Sequence, residues 1–310
     1  MFKVNAAIIH NYLRAVILLG FALLIVYLVA SGEILLYVTP KLIIYLEAAA
    51  AGLFIVAAFQ FYISFLSMKR TVIVCDCSHD HNHGHDHGHG HSHEPPRSIG
   101  RNIVIYGLFL LPLVFGTVLP NTALAGSLAQ QKGMNLGGTA VNASSAPADL
   151  VELDSNEDPA LKEKFKTTVY NRDYAKLGML LYKQNVIEMK DEWYIEKLQA
   201  MNTFVDNFQG KSIKITGFVY REDGLPNNQF IIGRMAMTHC IADISPYGII
   251  TEAANAGQYA NDSWVTITGT IDQTVYHEQK VMKIIIDRVE PAKAPSVPYI
   301  YPDWDFASKL

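Results

Sequence analysis

The chain has 310 residues and a formal net charge of −4; half of its residues are hydrophobic and its mean hydropathy is +0.15. That is too apolar for an ordinary water-soluble enzyme. The apolar residues are gathered in the first 120 positions, where the charge is +1, while residues 121–310 carry −5, a mild acidity that argues against nucleic acid or anionic lipid as partner of the second part.

Three apolar stretches, over about residues 12–30, 42–67 and 102–119, each approach the roughly 20 residues a helix needs to cross a bilayer, so membrane lipid is their expected surrounding. Pro112 in the third is tolerable, because neighbouring helices can re-satisfy the freed carbonyl. A signal-peptide reading of the first span is disfavoured by the two spans that follow. Ala123-Leu124-Ala125 has the look of a cleavage site, but such strings are common in small-residue linkers. Lys3 and Arg14 precede or open span one, and Lys69, Arg70, Arg97 and Arg101 flank the segment between spans two and three. Only Lys41, with Glu33 close by, lies between spans one and two. The positive-inside rule then places the N-terminus and the second connection in the cytoplasm, and residues after about 120 outside the cell. Glu47, in span two, reads either as a carboxylate on an ion path or, the favoured reading, as a side chain reaching the headgroups. His10 and His277 stand alone in the sequence and read as surface residues.

Between spans two and three lies the most chemically loaded stretch, CDCSHDHNHGHDHGHGHSH over residues 75–93. His79, His81, His83, His85, His87, His89, His91 and His93 fall at every second position, preceded by Cys75 and Cys77. Imidazole and thiolate are the usual ligands of zinc and other divalent transition metals. The Gly, Asp, Asn and Ser between them offer no core, so the run is expected to wrap an ion from many ligand combinations; the alternative is a solvated low-complexity linker. In cytosol the two thiols would stay reduced, and Cys240, alone outside, could form no intrachain disulfide.

Residues 121–150, rich in Ala, Gly, Ser and Asn, read as a flexible tether. A helical segment follows over 151–209: a start before Pro159, a helix over about 159–166, another over about 171–184, and a third that Asp191 is expected to cap and Gly210 to stop. Their stripes of Leu, Met and aromatic residues read as core. From 210 to 292 the hydrophobic period changes to two, in five runs separated by turn-formers. With Gly217 and Gly269 late in the first and fourth runs, five short strands fit a small OB-like β-barrel, with an open sheet on the helices as the competing arrangement. A Pro-rich tail closes the chain over 293–310. The expected fold class is therefore membrane α, three transmembrane helices, plus an extracytoplasmic α+β domain with an OB-like five-stranded barrel.

One cluster in the β region could carry chemistry: His239, Cys240 and Asp243, three potential corners of a zinc site. In a regular strand His239 and Cys240 point to opposite faces, so both can ligate only at a bulge or strand end. The other reading is a buried thiol beside a turn aspartate. No nucleophilic triad, phosphate loop or dinucleotide fingerprint occurs, which argues against an enzyme.

The three spans, the His-rich loop, the segments FLLPLVFGTVLP, RMAMTHCIADISPYGIITE and DSWVTITGTI, and the closing PSVPYIY together resemble the YcgQ-like family. The resemblance covers nearly the whole chain, and the run from Arg234 through Cys240 to Asp243, followed by Tyr247-Gly248, is its most specific part. It implies a subunit of a two-component membrane permease complex of Gram-positive bacteria, partnered by a multi-span permease of the YraQ/YcgR-like kind and linked to zinc homeostasis. It supplies no reaction. Many members look to have two adjacent cysteines where this chain has His239-Cys240, which puts a dithiol requirement in doubt.

Overall fold

The computed structural model describes residues 6–69, 99–118, 125–137, 139–140, 150–151 and 158–310. It divides into two compact units, one of Met1–Leu35 with Pro40–Asn121 and one of Leu36–Thr39 with Thr122–Leu310.

The first unit consists of α1 (Ala6–Ser31), α2 (Ile43–Lys69) and α3 (Ile99–Val118). Each is long and apolar enough to cross a membrane, over Ile8–Ser31, Pro40–Leu66 and Gly100–Val118. Helix α1 packs along α2, and it meets α3 where Gly20 faces Leu113 and Gly116 faces Leu24. Small residues at such crossings let backbones approach, the usual device where lipid removes the hydrophobic drive for association. The outward faces stay apolar, with Leu23, Phe54, Ile55, Phe59, Leu108 and Phe109 exposed. Helix α3 runs through Pro112 without ending. His10 corrects its reading as a lone surface residue: Nδ1 lies 2.8 Å from the Tyr106 hydroxyl and the two rings stack. Glu47 is exposed, one turn into α2.

The second unit begins in described sequence with α4 (Ala125–Lys132) and the short strands β1 (Thr139–Ala140) and β2 (Leu150–Val151). Helix α5 (Pro159–Lys164), β3 (Thr167–Thr168), α6 (Arg172–Tyr182), β4 (Val186–Met189), α7 (Tyr194–Thr203) and α8 (Val205–Phe208) form the helical segment. The long strands are β5 (Ser212–Tyr220), β6 (Gln229–Ala236), β7 (Ser245–Glu252), β8 (Trp264–Tyr276) and β9 (Gln279–Pro291), and β10 (Tyr299–Ile300) follows in the tail. All five β runs expected from the period of two are strands.

Their pairing is informative. Strand β5 pairs antiparallel with β6 and with β8, β6 antiparallel with β7, β7 parallel with β9, and β9 antiparallel with β8. Every long strand therefore has two partners among the other four. Strand β5 makes the changeover at one point, pairing with β8 through Phe218 and with β6 from Phe218 onward. Gly217 stands there because a Cβ would lie 2.4 Å from the Gly233 carbonyl oxygen. Gly269 has the same role at the β8–β9 register shift, where a Cβ would lie 2.3 Å from the Ile285 carbonyl oxygen. Both glycines are required by close backbone approach.

Strand β6 is buried along nearly its whole length because it serves two cores. Phe230 and Ile232 join the core under α6, α7 and α8, with Leu177, Leu198 and Phe208, while Ile231 and Met235 face a second core with Phe218, Ile250 and Leu136. Alternation sends successive side chains to opposite faces. Buried Asn202 ties these layers: its Nδ2 donates to the Leu136 carbonyl at 3.0 Å and its Oδ1 accepts from Met282 N–H at 3.3 Å.

Two expectations need correction, and two further stretches carry structure that the sequence pattern does not disclose. Residues 125–137 and 139–140, read as part of a flexible tether, hold α4 packed on β5 and β7 and a strand pairing with β9. Asp191 does not cap α7; its carboxylate pairs with Arg234 at 2.5 Å. Asp158 caps α5 directly before Pro159, and residues 154–157, read as the helix start, lie outside the described residues. Val186–Met189, unread in the sequence, adds in parallel to β5. The tail is built in: β10 pairs with β6, and Phe306 is buried.

Candidate functional site at the Cys240 turn

Strand β6 ends at Ala236 and β7 starts at Ser245, so His239, Cys240 and Asp243 lie in the turn between them. The strand-end placement that joint use of His239 and Cys240 demanded is thus present. The turn is organised by Asp243. Its carboxylate accepts the backbone N–H groups of Thr238 at 3.0 Å, His239 at 2.7 Å and Cys240 at 3.2 Å, and lies 3.3 Å from His239 Nδ1. Burial works against the charge, but the three backbone donors and the imidazole outweigh it and hold the carboxyl below the ordinary aspartate range. From α4, Lys132 Nζ donates to the carbonyls of Ile244 at 2.6 Å and Ala242 at 3.3 Å.

His239 and Asp243 are brought together, and Cys240 and Asp243 cap each other: the Cys240 N–H donates to the Asp243 carboxylate, and the half-buried, unbridged thiol of Cys240 accepts the Asp243 backbone N–H. Among the described residues no group of three or more His, Cys, Asp and Glu is arranged to hold a metal ion. Cys75, Cys77 and the eight histidines from His79 to His93 lie outside the described residues.

Sequence reasoning missed what the turn holds. Residues 37–39, from the connection between α1 and α2, belong to this unit and meet the turn through a single antiparallel β-bridge. Val38 bridges Cys240; Thr39 N–H donates to the His239 carbonyl at 3.0 Å, and Ile241 N–H donates to the Tyr37 carbonyl at 2.8 Å. The β-rich string Tyr37-Val38-Thr39 is the sole local signal.

Beside the turn is a cavity of about 500 Å3 whose wall includes Thr238, Ser245 and Tyr247 together with Asp173, Glu196 and Asp303. Glu196 is 4% exposed; Oε1 accepts from Asp303 N–H at 2.7 Å and Oε2 has no hydrogen-bond partner among the described residues. Burial pushes its carboxyl above the ordinary range.

Replacing Asp243 by alanine orphans three N–H groups at once, and the turn should lose about 2 kcal/mol. Its carboxyl titrates lower in the folded chain than unfolded. The stabilisation is therefore complete above about pH 4 and lost as the pH falls through the depressed folded value. Thermal unfolding from pH 7 downward checks this: the gap in stability between the wild type and the variant should narrow as the pH falls into the acid range.

Three helices long and apolar enough to cross a membrane, with a mixed β-sheet domain in the same chain, define the class of multi-pass membrane proteins. Residues 13–135 match the DUF1980 N-terminal domain and residues 164–302 the DUF1980 C-terminal domain. UPF0703 protein YcgQ of Bacillus subtilis (strain 168) is 28% identical over 290 residues, covering 93% of this chain and 98% of that protein. A protein of Streptococcus mutans serotype c, named "Putative two-component membrane permease complex subunit", is 24% identical over 200 residues, covering 63% of this chain and 72% of its own. The chain belongs to the YcgQ-like family, with both DUF1980 domains present.

Proposed function

We propose that this protein is a non-enzymatic accessory subunit of a two-component membrane permease, working with a multi-span partner of the YraQ/YcgR-like kind. The name of the Streptococcus mutans relative supports the permease part. The observation that carries the accessory role is the hold of the β unit on residues 37–39. The link between the first two helices is hydrogen-bonded into the Cys240 turn, so a displacement of that link is felt where β6 ends. Three spans are few for a transport path, and the apolar outward faces of α1, α2 and α3 suit lipid or a partner's helices. The long strands, each with two partners, favour an OB-like barrel over an open sheet, which leaves two edges.

The cargo is a divalent transition metal, zinc first, collected in the cytosol by Cys75, Cys77 and the His79 to His93 run, with the β unit outside. A peptide of residues 75–93 should bind zinc at pH 7 and release it below about pH 6, where imidazoles protonate. Affinity weaker than about millimolar in isothermal titration removes the metal role from the loop. Deleting residues 79–93 should change cellular zinc. A second reading, a ligand-recognising outer module whose His run is regulatory, is favoured by the cavity at Glu196 and predicts little change on that deletion.

A further inference from the structure

We propose that the cavity beside the Cys240 turn is a binding site for a small organic cation, an alkylammonium group. This deepens the ligand-recognising reading and does not depend on the permease assignment.

The lining combines two kinds of group that favour such an ion. Tyr174, Tyr247, Trp304 and Phe306 supply aromatic faces, and Tyr174 and Phe306 are already stacked with centroids 5.4 Å apart. Trp304 keeps 70% of its surface exposed, a large apolar ring left in water at the tail of the chain. Aromatic faces attract cations through the ring quadrupole, most strongly where the cation is desolvated. The second kind is carboxylate. Asp173, Glu196 and Asp303 line the cavity, and among the described residues no lysine or arginine does.

These carboxylates are unequally neutralised. Asp303 pairs with Lys309 and also accepts from Trp193 Nε1 at 3.2 Å, so its charge is largely answered. Lys197, next to Glu196 in sequence, donates to the Glu192 carbonyl at 2.9 Å. Glu196 has one oxygen satisfied by a backbone N–H and the other by nothing among the described residues, and Asp173 has no salt bridge among them. An unanswered carboxylate under an aromatic wall costs stability unless something positive arrives. Tyr174 senses this field: burial first, then the charges of Glu196 and Asp173, push its phenol up. A bare divalent ion would want oxygen or nitrogen ligands converging on one point, and no three such residues converge here among the described residues. A diffuse alkylammonium needs only a negative potential and ring faces.

The test uses the full chain in detergent with choline as probe and its uncharged isostere 3,3-dimethyl-1-butanol as control, read by tryptophan fluorescence and thermal shift. Choline should bind saturably, the isostere at least about tenfold more weakly, and Glu196→Gln should weaken choline by about tenfold. Trp304→Leu, at an exposed position, should weaken it severalfold even if the Glu196 variant fails to fold. Equal binding of both probes overturns the cation assignment while leaving a ligand-binding cavity. Absence of saturable choline binding up to about 10 mM overturns the inference outright.

Discussion

Gly217→Ala should destabilise the β unit by at least about 3 kcal/mol, since an added methyl must displace backbone to be accommodated. The new Cβ would lie 2.4 Å from the Gly233 carbonyl oxygen and 2.9 Å from Ile232 Cγ1. That carbonyl belongs to β6, and Gly217 immediately precedes the residue through which β5 passes from β8 to β6. No side-chain rotation relieves the overlap, so relief means breaking the β5–β6 pairing. The control is Gly257→Ala, where nothing among the described residues lies within 4 Å of the added carbon and stability should change by no more than about 0.5 kcal/mol. Circular dichroism melts of the two variants check the account. A Gly217 variant as stable as its control contradicts the pairing of β5 with both neighbours.

The second large effect is expected at Arg234. Its side chain is 3% exposed, with the guanidinium carbon 5.4 Å from the Trp264 ring centroid and 5.8 Å from that of Tyr194. Nη1 reaches the Asp191 carboxylate at 2.5 Å; Nε and Nη2 have no hydrogen-bond partner among the described residues. Asp191 itself is 64% exposed, so by location it resembles a surface carboxylate worth little. The buried cation reverses that expectation. Asp191→Ala leaves the charge uncompensated and should cost about 3 kcal/mol. Arg234→Met in the same background removes the charge, keeps the volume and should recover most of that loss. Chemical denaturation of the two single variants and the double variant measures it; additive losses would mean that the pair is not coupled.

The local patterns carried much of this fold. Apolar runs near 20 residues announced α1, α2 and α3, and a period of two announced the five long strands, because these signals depend only on neighbours in sequence. What escaped depends on distant partners. Val186–Met189 alternates buried and exposed residues, yet four residues are too short to stand out from loop. Helix α4 has a weakly apolar sequence and owes its place to Ala129 packed in the second core. The cavity draws Asp173, Glu196, Tyr247 and Asp303 from four separated stretches, so no motif could have disclosed it. At the Cys240 turn the role of Asp243 differs from that of a free ligand. It is a turn-forming carboxylate occupied by backbone donors, and an aspartate three to five residues after those donors is a pattern that short-range hydrogen bonding explains.

Residues 37–39, in the connection between α1 and α2, are hydrogen-bonded to the Cys240 turn. Purification of the full chain from its native membrane, with mass spectrometry of what accompanies it and elemental analysis of the complex, tests the permease reading most directly. A multi-span permease in near-equal amount, with bound zinc that falls when residues 79–93 are deleted, is the predicted result. Recovery of the chain alone, without a multi-span partner and with zinc unaffected by the deletion, contradicts it.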